Sequence, residues 1–185
     1  MRFFLHDRTR NGQFMSSNPE AVQPMKIDLD ELDLRLLDTL QQDNRIAMAE
    51  LAVRVNSSPA TCQRRIRRLR EGGVITADTA VVDPAAVGYG MTMIVEVIIE
   101  RERADLIDSF KRAVQECEHI SQCYYVTGDA DFILIVHVAN IEEYDAIVSR
   151  IFHSNANIKQ FKTLVAIRKI KSTSRIPINR RSTAP

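Results

Sequence analysis

Asn56-Ser57-Ser58-Pro59-Ala60-Thr61-Cys62-Gln63-Arg64-Arg65-Ile66-Arg67-Arg68-Leu69-Arg70-Glu71-Gly72-Gly73 reads as one short, well-punctuated helix. Ser58 is a good N-cap, and Pro59 suits the first helical position, where its missing N–H would have no partner anyway. Gly72 or Gly73 can take the left-handed turn that ends a helix. At about 100° per residue, Cys62, Ile66 and Leu69 fall on one side, while Ala60, Thr61, Gln63, Arg64, Arg67 and Arg68 spread over the other. One face packs and the other is cationic.

Residues 59–71 hold five arginines against one glutamate, in a chain whose net charge is only +1. Positive charge concentrated in this way is the footprint of a phosphate-rich partner. A merely solvated helix face is the bland alternative, and the upstream sequence weighs against it. Met48-Ala49-Glu50-Leu51-Ala52-Val53-Arg54-Val55 is also helically spaced, and only Asn56 and Ser57 separate it from the Ser58 cap. Two helices joined so tightly form a helix-turn-helix, whose second helix enters the major groove of double-stranded DNA by its N-terminus. Ser58, Pro59, Ala60, Thr61, Gln63 and Arg64 are then expected near base edges, and Arg67 and Arg68 near phosphates.

The 185 residues allow one or two domains, and 45% hydrophobic content supports a packed core. Met1 to Leu5 is too short an apolar run for a signal peptide, and no later uncharged run is long enough to span a bilayer. Three cysteines without a regular framework suit a reducing compartment. A cytoplasmic protein without a membrane partner is expected. Near-neutral overall charge also argues that any DNA contact is local.

Residues 1–24 lack periodicity and are expected to be a mobile leader, with Met15 and Met25 as alternative first residues. Asp30 can cap a first helix, with Asp33 also placed at the positive end of its dipole. Leu32, Leu36, Leu37 and Leu40 form its stripe, and it should run to about Gln42. After Gly73, Val74-Ile75 and Val81-Val82 read as two short strands of a wing that Asp83-Pro84 interrupts. The expected division is a winged helix-turn-helix over 25–82, a hinge over 83–90, a second domain over 91–172 and a tail over 173–185.

In the second domain the elements alternate. Met91, Met93, Val95, Val97 and Ile99 line one face of a strand, and Ala104 to Cys117 is helically spaced. Ile120 to Thr127 and Phe132 to Val138 read as strands, Asn140 as the cap of a helix with Glu143 reaching back, and Ile158 to Lys171 as a last strand. The order βαββαβ is a ferredoxin-like (ACT-like) unit, one antiparallel sheet with both helices on one face, so the fold class is α+β. Phe132-Ile133-Leu134-Ile135-Val136 is nevertheless apolar on both faces. The open face is therefore expected to pack against a second copy, and a two-fold dimer presents two reading helices to two half-sites.

From Ile27 to Asn179 the chain resembles the leucine-responsive/asparagine-synthase-regulator (Lrp/AsnC, feast/famine) family of transcriptional regulators. The matching motifs are Leu32-Asp33, Asp43-Asn44-Arg45-Ile46, Glu50-Leu51-Ala52, Ser58-Pro59 with Cys62, Arg65-Ile66-Arg67-Arg68-Leu69, Gly73-Val74-Ile75, Val126-Thr127-Gly128-Asp129 with Asp131, and Lys171-Ser172-Thr173. Two positions depart from the pattern. Ala47 replaces a Ser that caps the second helix, at a cost of about 1 kcal/mol, and Asn56-Ser57 replaces Gly-Leu in the turn.

The resemblance implies an amino-acid effector, leucine or methionine, as the only small molecule bound, and assembly of dimers into an octamer. Backbone N–H groups around Gly128 and Asp129 can make a nest for the effector's carboxylate, Asp129 or Asp131 can pair with its ammonium, and Thr127 can add a hydroxyl. The alternative for this stretch is a plain hairpin turn in which Gly supplies positive φ. Effector binding would then shift assembly or the placement of the reading helices.

Other residues are weaker candidates. Cys117, His119 and Cys123 lack a fourth metal ligand, and Cys117 sits on an apolar stripe. His137 shares a strand face with Ile133 and Ile135 and reads as a packed histidine. Tyr124 and Tyr125 read as sheet residues, and the basic tail as a solvated end or a weak DNA contact. No catalytic constellation emerges. The rivals are an enzyme similar to sirohaem decarboxylases, which resemble this family in both domains, and an architectural DNA binder without an effector.

Overall fold

The computed structural model describes residues 27–178. The expected leader over 1–24, with both alternative starts, and tail residues 179–185 lie outside the described residues.

Three helices come first: α1 (Glu31–Leu40), α2 (Met48–Arg54) and α3 (Pro59–Glu71). Asp30 and Asp33 cap α1 reciprocally, each carboxylate accepting the other's backbone N–H, which satisfies two of the amides at that end. No side chain caps α2 at Ala47. Asn56 turns the chain from α2 into α3 at φ 54°, a left-handed conformation that Asn tolerates better than most residues. Ser58 caps α3 by accepting the Thr61 N–H at 3.2 Å. At the other end Gly73 takes the left-handed turn at φ 70°. Gly72 instead makes room for the Ile27 side chain, which occupies the place a Cβ would need.

Leu36, Leu51, Ala52, Val55, Cys62 and Ile66 form the buried core of this helical unit, with Leu32, Leu40, Ile46 and Ile75 packed around it. Fully burying a side chain such as Leu36 or Leu51 contributes roughly 1.5–3 kcal/mol.

The two wing strands do not form. Residues 74–83 have no ladder, and the amides of Val74 and Ile75 both donate to the Leu69 carbonyl, finishing α3. Val81 stands 92% exposed, so the second strand of a hairpin here would bury little, and an isolated two-stranded ribbon is marginal in water. The hinge region holds a 3-10 turn, Pro84–Val87, with Asp83 as its cap.

The second unit comprises β1 (Met91–Ile99), α4 (Ala104–Gln115), β2 (Ile120–Tyr125), β3 (Phe132–Val138), α5 (Ile141–Ile147) and β4 (Ile158–Val165). α5 continues into a wider π-type turn, Val148–His153. The sheet is antiparallel in the order β2-β3-β1-β4, the ferredoxin-like arrangement. Met93, Val95, Val97, Phe132, Leu134, Val136 and Val138 face Phe110, Val114, Tyr144, Ile147 and Phe152 in one buried core.

β4 is shorter than the expected strand to Lys171. Its last ladder bond joins the Ala166 N–H to the Thr92 carbonyl, and β1 begins one residue earlier, so the chain beyond has no strand to pair with. β2 likewise stops at Tyr125. Asn140 accepts the Glu143 N–H as expected of a cap, whereas the Glu143 carboxylate takes the N–H of Ala139 at 2.6 Å.

Candidate nucleic-acid interface and effector site

Ala60, Gln63, Arg64 and Arg67, spaced i, i+3, i+4 and i+7, form one exposed stripe along α3. The opposite side is sealed by Cys62, Ile66 and Leu69. Arg64 and Arg67 form no ion pair among the described residues. Pro59 is exposed at the helix start. Ser58 and Thr61 are joined by a hydroxyl–hydroxyl bond of 2.9 Å, so both take part in the cap.

Arg68 differs from its neighbours. Its Nη2 lies 2.5 Å from Asp33 Oδ2, and the Asp33 side chain is fully buried. Arg65 Nη1 reaches both Asp33 oxygens and lies 2.6 Å from Asp30. The Asp33 backbone N–H donating to Asp30, together with Arg65, holds the Asp30 carboxyl below the usual carboxylate range, while Asp30 and Asp33 push the Arg65 guanidinium up. Arg70 pairs with Asp78 at 2.9 Å and Arg54 with Glu50 at 2.7 Å. Five arginines on one short helix thus divide into two free ones and three held by carboxylates.

In the second unit, Gly128 adopts φ 135° and the Val126 N–H donates to the Asp131 carbonyl, closing a loop between β2 and β3. Asp131 serves this loop twice. Its N–H donates to the Val97 carbonyl, and its Oδ2 accepts the Ile99 N–H at 2.8 Å, which ties the loop to the end of β1. Asp129 lines a cavity of about 60 Å³ with Glu96, Ile98, Ala130, Gln160, Phe161 and Lys162. Thr127, Gly128 and Asp131 do not line it. Lys162 Nζ stands 3.6 Å from Glu96 Oε2 across the β1–β4 pair, so one wall of the cavity carries both charges. Glu96, Gln160 and Lys162 escaped the sequence reading; their only signal is polar alternation on one strand face.

The cavity is a shallow recess, large enough to admit water.

Cys117 is buried beside Arg150, and no group of three or more His, Cys, Asp or Glu side chains that could hold a metal converges among the described residues. His137 bonds the Thr92 hydroxyl at 3.1 Å on the open sheet face; burial, then Lys169, lowers its pKa. Tyr125 packs on Phe132 and Tyr124 bonds Gln122. In the tail, Arg175 pairs with Asp38 of α1 at 3.0 Å.

Comparison with known proteins agrees with this geometry. Residues 29–76 match the winged helix-turn-helix DNA-binding family, and residues 92–176 match the Lrp/AsnC ligand binding domain. An uncharacterized HTH-type transcriptional regulator of Sinorhizobium fredii is 46% identical over 166 residues, covering 90% of this chain and 98% of that protein. The leucine-responsive regulatory protein of Escherichia coli is 32% identical over 154 residues, covering 83% of this chain and 94% of its own. A transcriptional regulator from Neisseria meningitidis, solved as its L-methionine complex, superposes with a TM-score of 0.76 at 26% identity, over 82% of this chain and 98% of that one. The helix-turn-helix, the ferredoxin-like ligand-binding domain and these matches together place the chain in the Lrp/AsnC family of transcriptional regulators.

Proposed function

We propose that α3 reads the major groove of operator DNA through Ala60, Gln63 and Arg64, with Arg67 on a phosphate and Ser58, Pro59 and Thr61 setting the entry of the helix. The exposed stripe that bears the two unpaired arginines carries this reading. The division of labour follows the sequence expectation: residues 25–82 bind DNA, 83–90 form a hinge and 91–172 sense and assemble.

The effector is an amino acid, leucine or methionine. The relative regulated by leucine and the neighbour bound to L-methionine support that class. It sits against the loop of Thr127, Gly128, Asp129 and Asp131, with Asp129, Glu96 and Lys162 supplying charge and another chain closing the site. Asp131 contributes by holding the loop in shape. The open sheet face, with Ile94, Ile98, Ile133, Ile135 and Leu164, forms the contact between two copies. Dimers assemble further, with the octamer as the assembly expected. The protein works in the cytoplasm and performs no catalysis.

Fluorescence anisotropy on DNA from upstream of its own gene and on scrambled DNA, across a salt series, tests this reading. Tight, sequence-dependent binding that Arg64→Ala weakens is expected, as is a change in assembly, read by light scattering, when leucine or methionine is added. Equal, weak binding to both DNAs would remove the regulator reading, and a tetrapyrrole titration would then test the enzyme rival. Specific binding without heat from any amino acid would leave an architectural binder.

A further inference from the structure

Asp33 is the most deeply buried carboxylate among the described residues, with its side chain at 0% exposure, and it belongs to a different helix from the arginines it holds. It accepts the Asp30 N–H at 3.1 Å, two contacts from Arg65 Nη1 at 3.3 and 3.2 Å, and one from Arg68 Nη2 at 2.5 Å. Asp30 adds its own contact to Arg65. Two carboxylates at the start of α1 thereby balance two guanidinium groups in the middle of α3.

Helical geometry gives this quartet a consequence. On α3, Arg68 lies one position beyond Arg67 and three beyond Arg65, at the flank of the exposed stripe. Released from Asp33, its long side chain would be free to add a phosphate contact beside that of Arg67. Every extra arginine on phosphate raises affinity for all DNA alike, because counterion release carries no sequence information.

We propose that Asp33 is a positioning residue that sets DNA specificity: it clamps α3 to α1 and withholds Arg65 and Arg68 from the phosphate backbone. With Arg70 paired to Asp78, the free charge on the reading helix is thereby limited to Arg64 and Arg67. This rests on α3 being the reading element.

The test compares the full-length protein with Asp33→Asn, Arg68→Ala, the double variant and Arg64→Ala, on operator and scrambled DNA across a salt series. Circular dichroism confirms each variant's fold. For Asp33→Asn the slope of log K against log salt on scrambled DNA should steepen by about one to two per reading helix. The ratio of operator to scrambled affinity should fall. Adding Arg68→Ala to Asp33→Asn should take back about one of those units.

A purely structural Asp33 would weaken both DNAs together with the slope unchanged, and that result overturns the proposal. Where Asp33→Asn fails to fold, Arg68→Ala alone decides. A slope kept within about 0.3 of the parent's supports the clamp, and a loss of about one unit, as expected when a phosphate contact is removed, overturns it. If Arg64→Ala leaves binding intact on both DNAs, the reading of α3 fails and the proposal fails with it. If Arg64→Ala weakens binding while Asp33→Asn moves neither slope nor ratio, only the clamp fails.

Discussion

The side-chain amide of Gln41 holds the backbone of Ile176 from both sides. Its oxygen accepts the Ile176 N–H at 2.8 Å, and its nitrogen donates to the Ile176 carbonyl at 3.2 Å. A residue just past α1 thus receives the tail that leaves β4, and the Arg175–Asp38 pair lies beside it. The tail that follows the ligand-binding sheet is therefore held against the end of the first helix of the DNA-binding unit.

Gln41→Ala should release this tail. Both bonds are exposed and each contributes about 0.5–1.5 kcal/mol at most, so the expected change is local. Hydrogen exchange at the Ile176 amide should speed up while the global unfolding free energy changes by less than about 1 kcal/mol. Unchanged exchange at Ile176 would mean that the tail is held by something other than Gln41.

Asn56 carries the turn between α2 and α3 at φ 54°. Asn56→Ala forces a Cβ-bearing residue without Asn's local hydrogen-bonding capacity into the left-handed region, and should cost about 1–2 kcal/mol in chemical denaturation. Asn56→Gly should change stability by less than about 0.5 kcal/mol. Equal loss in both variants would point to the Asn side chain instead of the backbone angle.

α2 begins at Ala47 with no side-chain cap, in the extended conformation that an N-cap residue adopts. Ala47→Ser should therefore stabilise the protein by about 0.5–1 kcal/mol, and Ser58→Ala should destabilise α3 by about 1 kcal/mol. Differential scanning calorimetry on the two variants reads opposite shifts in melting temperature.

Burial, then Lys169, lowers the pKa of His137 in the folded chain. The unfolded chain, with a pKa near 6.5, binds this proton more readily, so His137 costs stability as pH falls below about 6.5 and costs nothing above it. His137→Gln should flatten the difference in stability between pH 7.5 and pH 5.5 measured by urea unfolding. A variant whose pH profile parallels the parent's would assign that slope to other groups.

Local chemistry decided much of this protein by itself. Ser58 and Pro59 start α3, Gly73 ends it, Asp30 and Asn140 cap their helices, and Phe132–Val138 is a strand at the limits its composition suggests. Caps, turn angles and apolar periods depend on neighbours within a few residues, so they are legible in the chain. The tertiary structure decided which polar groups meet. By composition Arg64, Arg65, Arg67 and Arg68 are equivalent, yet only Arg65 and Arg68 face a buried carboxylate, at separations of 32 and 35 residues. Asp131, equally suited to an ammonium group, is spent on Ile99, 32 residues away. The wing pattern of Val74-Ile75 and Val81-Val82 was legible too, but a strand needs a partner and a face to bury, and this fold leaves Val81 and Val82 exposed. A charge's partner is chosen by which surfaces the fold brings together, and no local pattern in the sequence encodes that choice.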